Sequence, residues 1–116
     1  MKATRLYTGA DGESHFEDID IDLKSYGVGE RRSDLIKAGG ILFRETEGTL
    51  DQEWHHPPAR QFVITLKGRG EIEVGDGTKR VFGPGDIMLA EDLTGRGHIT
   101  RGVGKEPRVS IFVTLL

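Results

Sequence analysis

Glu71-Ile72-Glu73-Val74-Gly75-Asp76-Gly77-Thr78-Lys79-Arg80-Val81-Phe82-Gly83-Pro84-Gly85-Asp86-Ile87-Met88-Leu89-Ala90-Glu91 holds three short β-prone runs divided by two sets of turn residues. Asp76-Gly77 can supply the positive φ values of a two-residue hairpin turn, so Glu71–Val74 and Lys79–Phe82 are predicted to pair. Gly83-Pro84-Gly85-Asp86 puts proline and then glycine in the central positions of a type II turn, which reverses the chain into a third strand, Ile87–Glu91. Outward from this stretch, similar runs predict strands at Lys2–Thr8, His15–Leu23, Gly40–Glu45, Gln61–Lys67, His98–Val103 and Arg108–Leu115. Short strands separated by glycine-rich turns point to an all-β sandwich or barrel. Lys24–Ala38 lacks a period of two and is rich in charge and glycine, so it is expected to be a surface loop with one short helical turn around Ser33–Lys37.

The chain has 116 residues, the size of one domain, and no internal repeat or linker that would mark a second. Sixteen basic and nineteen acidic side chains give a formal charge of −3, which offers no basic field for nucleic acid or an anionic membrane. The absence of cysteine removes disulfides, thiol nucleophiles and thiolate metal sites, so any metal must be held by nitrogen and oxygen. The N-terminal residues lack the apolar core of a signal peptide, and no apolar run approaches the ~18 residues of a membrane span. A cytoplasmic, soluble protein is expected.

Half of the four histidines fall in Trp54-His55-His56-Pro57-Pro58-Ala59-Arg60-Gln61, which runs into the strand Phe62-Val63-Ile64-Thr65-Leu66. Alternation puts Gln61, Val63 and Thr65 on one face of that strand and Phe62, Ile64 and Leu66 on the other. Both faces are then substantially apolar, so the strand is expected to be covered on both sides, and a buried Gln61 amide needs a partner.

The spacing of these residues resembles that of the cupin superfamily. His55 or His56, then Gln61, then six residues to Gly68 follow the first cupin motif, and Gly83-Pro84-Gly85-Asp86 through a strand to His98 follows the second. Trp54-His55, Pro58, Arg60-Gln61 and Gly95-Arg96-Gly97-His98 are closest to a group of small bacterial cupins, with similarity over nearly the whole chain. The resemblance implies a single-domain, antiparallel jelly-roll β-barrel. It further implies a pocket centred on His55, His56, Gln61 and His98, with a divalent transition metal held by these residues and a small polar ligand beside it. Oxygenase, isomerase and lyase chemistry are family-level possibilities. Two departures weigh against a metal. Gln61 stands where metal-dependent cupins carry a glutamate, removing a negative charge and a good oxygen ligand. The two histidines are adjacent, so both can face one ion only if the chain is irregular there, which Pro57-Pro58 permits. A metal-free binding or sensing domain is therefore the alternative.

Trp54, Arg60 and Asp92 complete the set of candidate ligand-binding residues. Trp54 can stack on a small acid or sugar, and Arg60 is either a carboxylate or phosphate clamp or a solvated ion-pair partner. Glu91 and Asp92 can place a carboxylate at the barrel mouth, as acid, base or orienter of His98, or serve only the loop. Asp18, Asp20 and Asp22, alternating with Ile19, Ile21 and Leu23, are the charged outer face of a half-buried strand. The apolar strands Lys2–Leu6 and Val109–Leu115 at the chain ends would leave exposed sheet edges, from which a homodimer is expected.

Overall fold

The structure is a computed structural model that describes residues 1–116. It is all-β, with no helix and hence none long and apolar enough to cross a membrane. Twelve strands follow in order: β1 (Lys2–Thr8), β2 (Ser14–Asp20), β3 (Lys24–Ser25), β4 (Arg31–Arg32), β5 (Ala38–Thr46), β6 (Asp51–His55), β7 (Gln61–Lys67), β8 (Gly70–Glu73), β9 (Lys79–Phe82), β10 (Ile87–Glu91), β11 (His98–Gly102) and β12 (Arg108–Leu115). All nine expected strands are present with ends shifted by at most a few residues. The short ribbon β3–β4 and the strand β6 were not anticipated. The helical turn expected around Ser33–Lys37 is absent, and that stretch is irregular and exposed.

The strands form a six-stranded sheet in the order β2-β1-β10-β7-β12-β5, a four-stranded sheet in the order β6-β11-β8-β9, and the small β3–β4 ribbon. Leu6, Val63, Met88 and Ala90 from the larger sheet pack with Ile72, Val74 and Phe82 from the β8–β9 hairpin, so the two sheets share one apolar core. Strands in facing sheets lie ~10 Å apart, too far for backbone hydrogen bonds. The ladders accordingly end at β2, β5, β6 and β9, and no closed barrel is formed. Nor is the larger sheet wholly antiparallel, since β1 runs parallel to β10. The intervening segments provide the long crossover that a parallel pair requires.

The turns that opened the sequence reading are both formed, one with a different geometry. At the first, Gly77 alone has positive φ, 87°, and the Gly77 amide donates to Val74 O at 3.0 Å while Val74 N donates to Thr78 O at 3.0 Å. This is a three-residue loop with glycine in the left-handed position, not a two-residue turn, because Asp76 keeps negative φ. At the second, Asp86 N donates to Gly83 O at 3.0 Å, Gly85 has φ 87°, and the Asp86 carboxylate accepts from Gly83 N at 2.7 Å.

The terminal strands do not leave edges. β1 lies between β2 and β10, and β12 between β7 and β5. The exposed edge of consequence is β5, whose Ile41, Leu42 and Phe43 are 60, 56 and 73% accessible.

A pair of substitutions in the second turn separates backbone strain from packing. Gly85→Ala forces a β-carbon into the left-handed region and should cost about 1–2 kcal/mol. Gly83→Ala meets nothing closer than 3.6 Å and has ordinary φ, so it should be nearly neutral in urea unfolding.

Candidate functional site

Between the two sheets lies a cavity of about 140 Å³, room for a ligand of only a few heavy atoms. Its polar wall comes from Arg44 on β5, Gln52 and His55 on β6, Gln61 on β7, His98 and Thr100 on β11, and Arg108 on β12. Val63, Ile72, Met88, Ala90 and Phe112 provide the apolar part.

The pairing of β6 with β11 explains how two polar strands deliver these side chains. His55 lies opposite His98 and Gln52 opposite Thr100, with a register irregularity between them. An extra residue in one strand shifts the phase of alternation, so residues three apart reach the same wall. Trp54, between them, is carried out of the cavity, where Arg96 lies 4.0 Å from its ring centre.

His98 enters the cavity wall from a tightly built turn. A β-carbon on Gly97 would stand 2.1 Å from His55 O, so only glycine lets β6 and the start of β11 approach this closely. The His98 ring, 4% exposed, donates from Nδ1 to Asp92 Oδ2 at 2.6 Å, and the same oxygen accepts from Ser14 Oγ at 2.7 Å. Asp92 is wholly buried and its Oδ1 has no partner. This contact orients the His98 ring and leaves Nε2 as the ring nitrogen with no partner in the protein. His55 is held in the same sense, its Nδ1 donating to Glu53 O at 2.7 Å, and the two rings lie 4.5 Å apart between centres. Burial pushes the His55 pKa below its usual value, and the neighbouring His98 adds to the effect against the opposing Glu53 carbonyl. His55 is thereby favoured in its neutral form. Gln61, 4% exposed, makes no side-chain hydrogen bond within the protein, so the partner its buried amide needs must come from the cavity.

Four of the residues singled out in the sequence meet here, namely His55, His56, Gln61 and His98. His56 takes part only at the rim, exposed, with Nε2 donating to Gly95 O at 2.6 Å. Trp54, Arg60 and Asp92 do not line the cavity. Arg60 bonds Glu91 Oε2 at 2.5 Å on the outside, and Arg5 holds the other Glu91 oxygen. Burial raises the Glu91 pKa, but the two guanidinium groups outweigh it and hold the carboxyl below its ordinary value. Asp92 acts behind His98, the orienting role weighed for it, and has no surface to offer a ligand. Arg44, Gln52, Thr100 and Arg108 were missed. A signal for Arg108 existed, since it shares the phase of Ser110 and Phe112 on β12, opposite Val109, Ile111 and Val113.

No protein-family model matches the chain, and no curated protein matches it. The site is therefore read from its own chemistry.

Because folding lowers the His55 pKa, the unfolded chain binds more protons as the pH falls below 6.5, the unperturbed value. This contribution therefore destabilises the fold on acidification and levels off once the folded pKa has been passed. Urea unfolding with a chelator present should lose more stability between about pH 7.5 and 5 in the wild type than in His55→Gln, which lacks this proton uptake. Parallel losses in both proteins would count against it.

Proposed function

We propose that the chain is a small-molecule-binding domain of cupin-like build, with its ligand held between the sheets by His55, His98 and Gln61. The observation that carries this reading is the convergence, in one cavity, of two imidazoles whose Nδ1 atoms are already committed and a buried amide with no partner. Each Nε2 is left to bond a polar group of the ligand, and Gln61 both donates and accepts. The cupin resemblance is supported by the two facing sheets and by the meeting of its two motif regions, His55 lying opposite His98 across β6 and β11.

The residues fit a divalent metal poorly. Two imidazoles and a neutral amide converge, no three His, Asp or Glu side chains gather as a ligand set, and the same wall carries two guanidinium groups that repel a cation. Mn²⁺, Ni²⁺ and Zn²⁺ are expected to leave the wild-type unfolding midpoint unchanged and to raise that of Gln61→Glu, which adds an anionic oxygen beside the imidazoles. A saturable rise in the wild type would replace the metal-free reading with a metal-dependent one, for which the buried carboxylate behind His98 would be the natural outer support.

We further propose a homodimer formed through β5. A nine-residue edge strand with three large apolar side chains exposed in a row is a template for antiparallel pairing with a second copy. The apolar concavity of Phe62, Ile64, Val113 and Leu115 on the outer face of the same sheet extends this surface. Light scattering should give twice the 12.8 kDa chain mass at micromolar concentration, and Phe43→Glu should return the protein to the monomer mass. A monomeric wild type would end the proposal.

A further inference from the structure

Arg108 is 8% exposed, and no carboxylate lies within 4 Å of it. Its Nη2 donates to Thr65 Oγ1 at 2.8 Å, and its Nε is buried without any acceptor. Other partly buried arginines are paired, Arg5 with Glu91 and Arg101 with Glu71 and Glu73. A buried guanidinium without a counter-charge is costly, and native proteins seldom keep one without a use. Burial, and after it the charge of Arg44, lowers the Arg108 pKa, as expected of a cation with nothing to neutralise it. Arg44 is half-buried on the adjacent strand, lies 5.5 Å from the Phe112 ring centre, and forms no ion pair. No aspartate or glutamate lines the cavity that both arginines reach.

The position of Arg108 is also built into the backbone. A β-carbon on Gly70 would fall 2.5 Å from Arg108 Nη1 and 2.9 Å from Cζ. Gly70 has no positive φ, so a side chain there would meet only the guanidinium, which would have to leave its present position.

Resting on the reading of this cavity as a ligand site, we propose that Arg44 and Arg108 form an anion subsite that takes the carboxylate of a small organic acid. The carboxylate supplies the counter-charge missing from the wall, and guanidinium groups match its planar oxygens. Its carbon body lies against Val63, Ile72 and Met88, a surface that an inorganic anion would leave uncovered. The two imidazoles and Gln61, on the other part of the wall, bind whatever polar groups the acid carries.

The test is thermal unfolding of the full chain with butyrate, its neutral analogue butyramide, sulfate or phosphate, at constant ionic strength. Butyrate should raise the wild-type midpoint saturably, and more than any of the other three. Arg108→Met and Arg44→Met should each weaken this response on the order of tenfold or more, while Arg60→Met, outside the cavity, should retain it. Without ligand, Arg108→Met should be at least as stable as the wild type, because an uncompensated buried charge has been removed, and this separates a lost subsite from a lost fold. Should Arg108→Met unfold, Arg44→Met, on a half-exposed residue, decides. Equal stabilisation by sulfate or phosphate would overturn the organic-acid assignment. An unchanged butyrate response in both variants, or no response in the wild type, would overturn the subsite. A butyramide response lost in His98→Gln but kept in Arg108→Met would leave the cavity as a ligand site and remove only the carboxylate from it.

Discussion

The wholly buried carboxylate of Asp92 ties the two sheets together by polar contact in the interior. It follows β10 of the larger sheet, accepts a hydrogen bond from Ser14 of β2 in that same sheet, and accepts another from Nδ1 of His98 in the smaller one. Remove it, and two buried donors lose their acceptor, which costs more than the hydrogen bonds themselves contribute. Other features of the site are arranged around this link. Gly97 lets β6 close against the start of β11, the irregularity in β6 turns both Gln52 and His55 inward, and His55 then rests against a His98 ring whose orientation is already settled.

Most of the strand layout was legible because its signals are local. Glycine in Gly83-Pro84-Gly85-Asp86 and after Asp76 can adopt a conformation denied to other residues, and the runs between the turns alternate with a period of two. β6 was not legible, because Asp-Gln-Glu-Trp-His has no β-branched residue and its bulge breaks the alternation by which a strand is recognised. Neither was the parallel pairing of β1 with β10, which depends on residues far apart in the chain. The motif histidines and Gln61 were found by spacing. Arg44 and Arg108 were overlooked because a charged residue in a strand is ordinarily assigned to the solvent face.

Along β7 and β12 that ordinary assignment is in part inverted. Gln61, Thr65, Arg108 and Ser110 are buried on the inner face, while Phe62, Ile64, Ile111 and Val113 look outward and remain partly exposed. A polar interior weakens the fold unless every group is satisfied, and here Asp92 Oδ1 and Arg108 Nε are not. The inversion makes sense where the inside receives a ligand and the outside another apolar surface, so the same phase of alternation prepares both.

The parallel pair has a consequence for the protein as it is being made. β1 and β2 can form a hairpin soon after they leave the ribosome, since they are near neighbours in the chain. The opposite edge of β1 has no partner until residues 87–91 have been synthesised, several seconds later at ~5–20 residues per second. During that interval the nascent chain carries an open, hydrogen-bonding edge beside Leu6, a residue that is completely buried once folding ends. Slow translation of the middle of the message would lengthen this vulnerable period, making the yield of soluble protein sensitive to codon choice at positions that never touch the cavity.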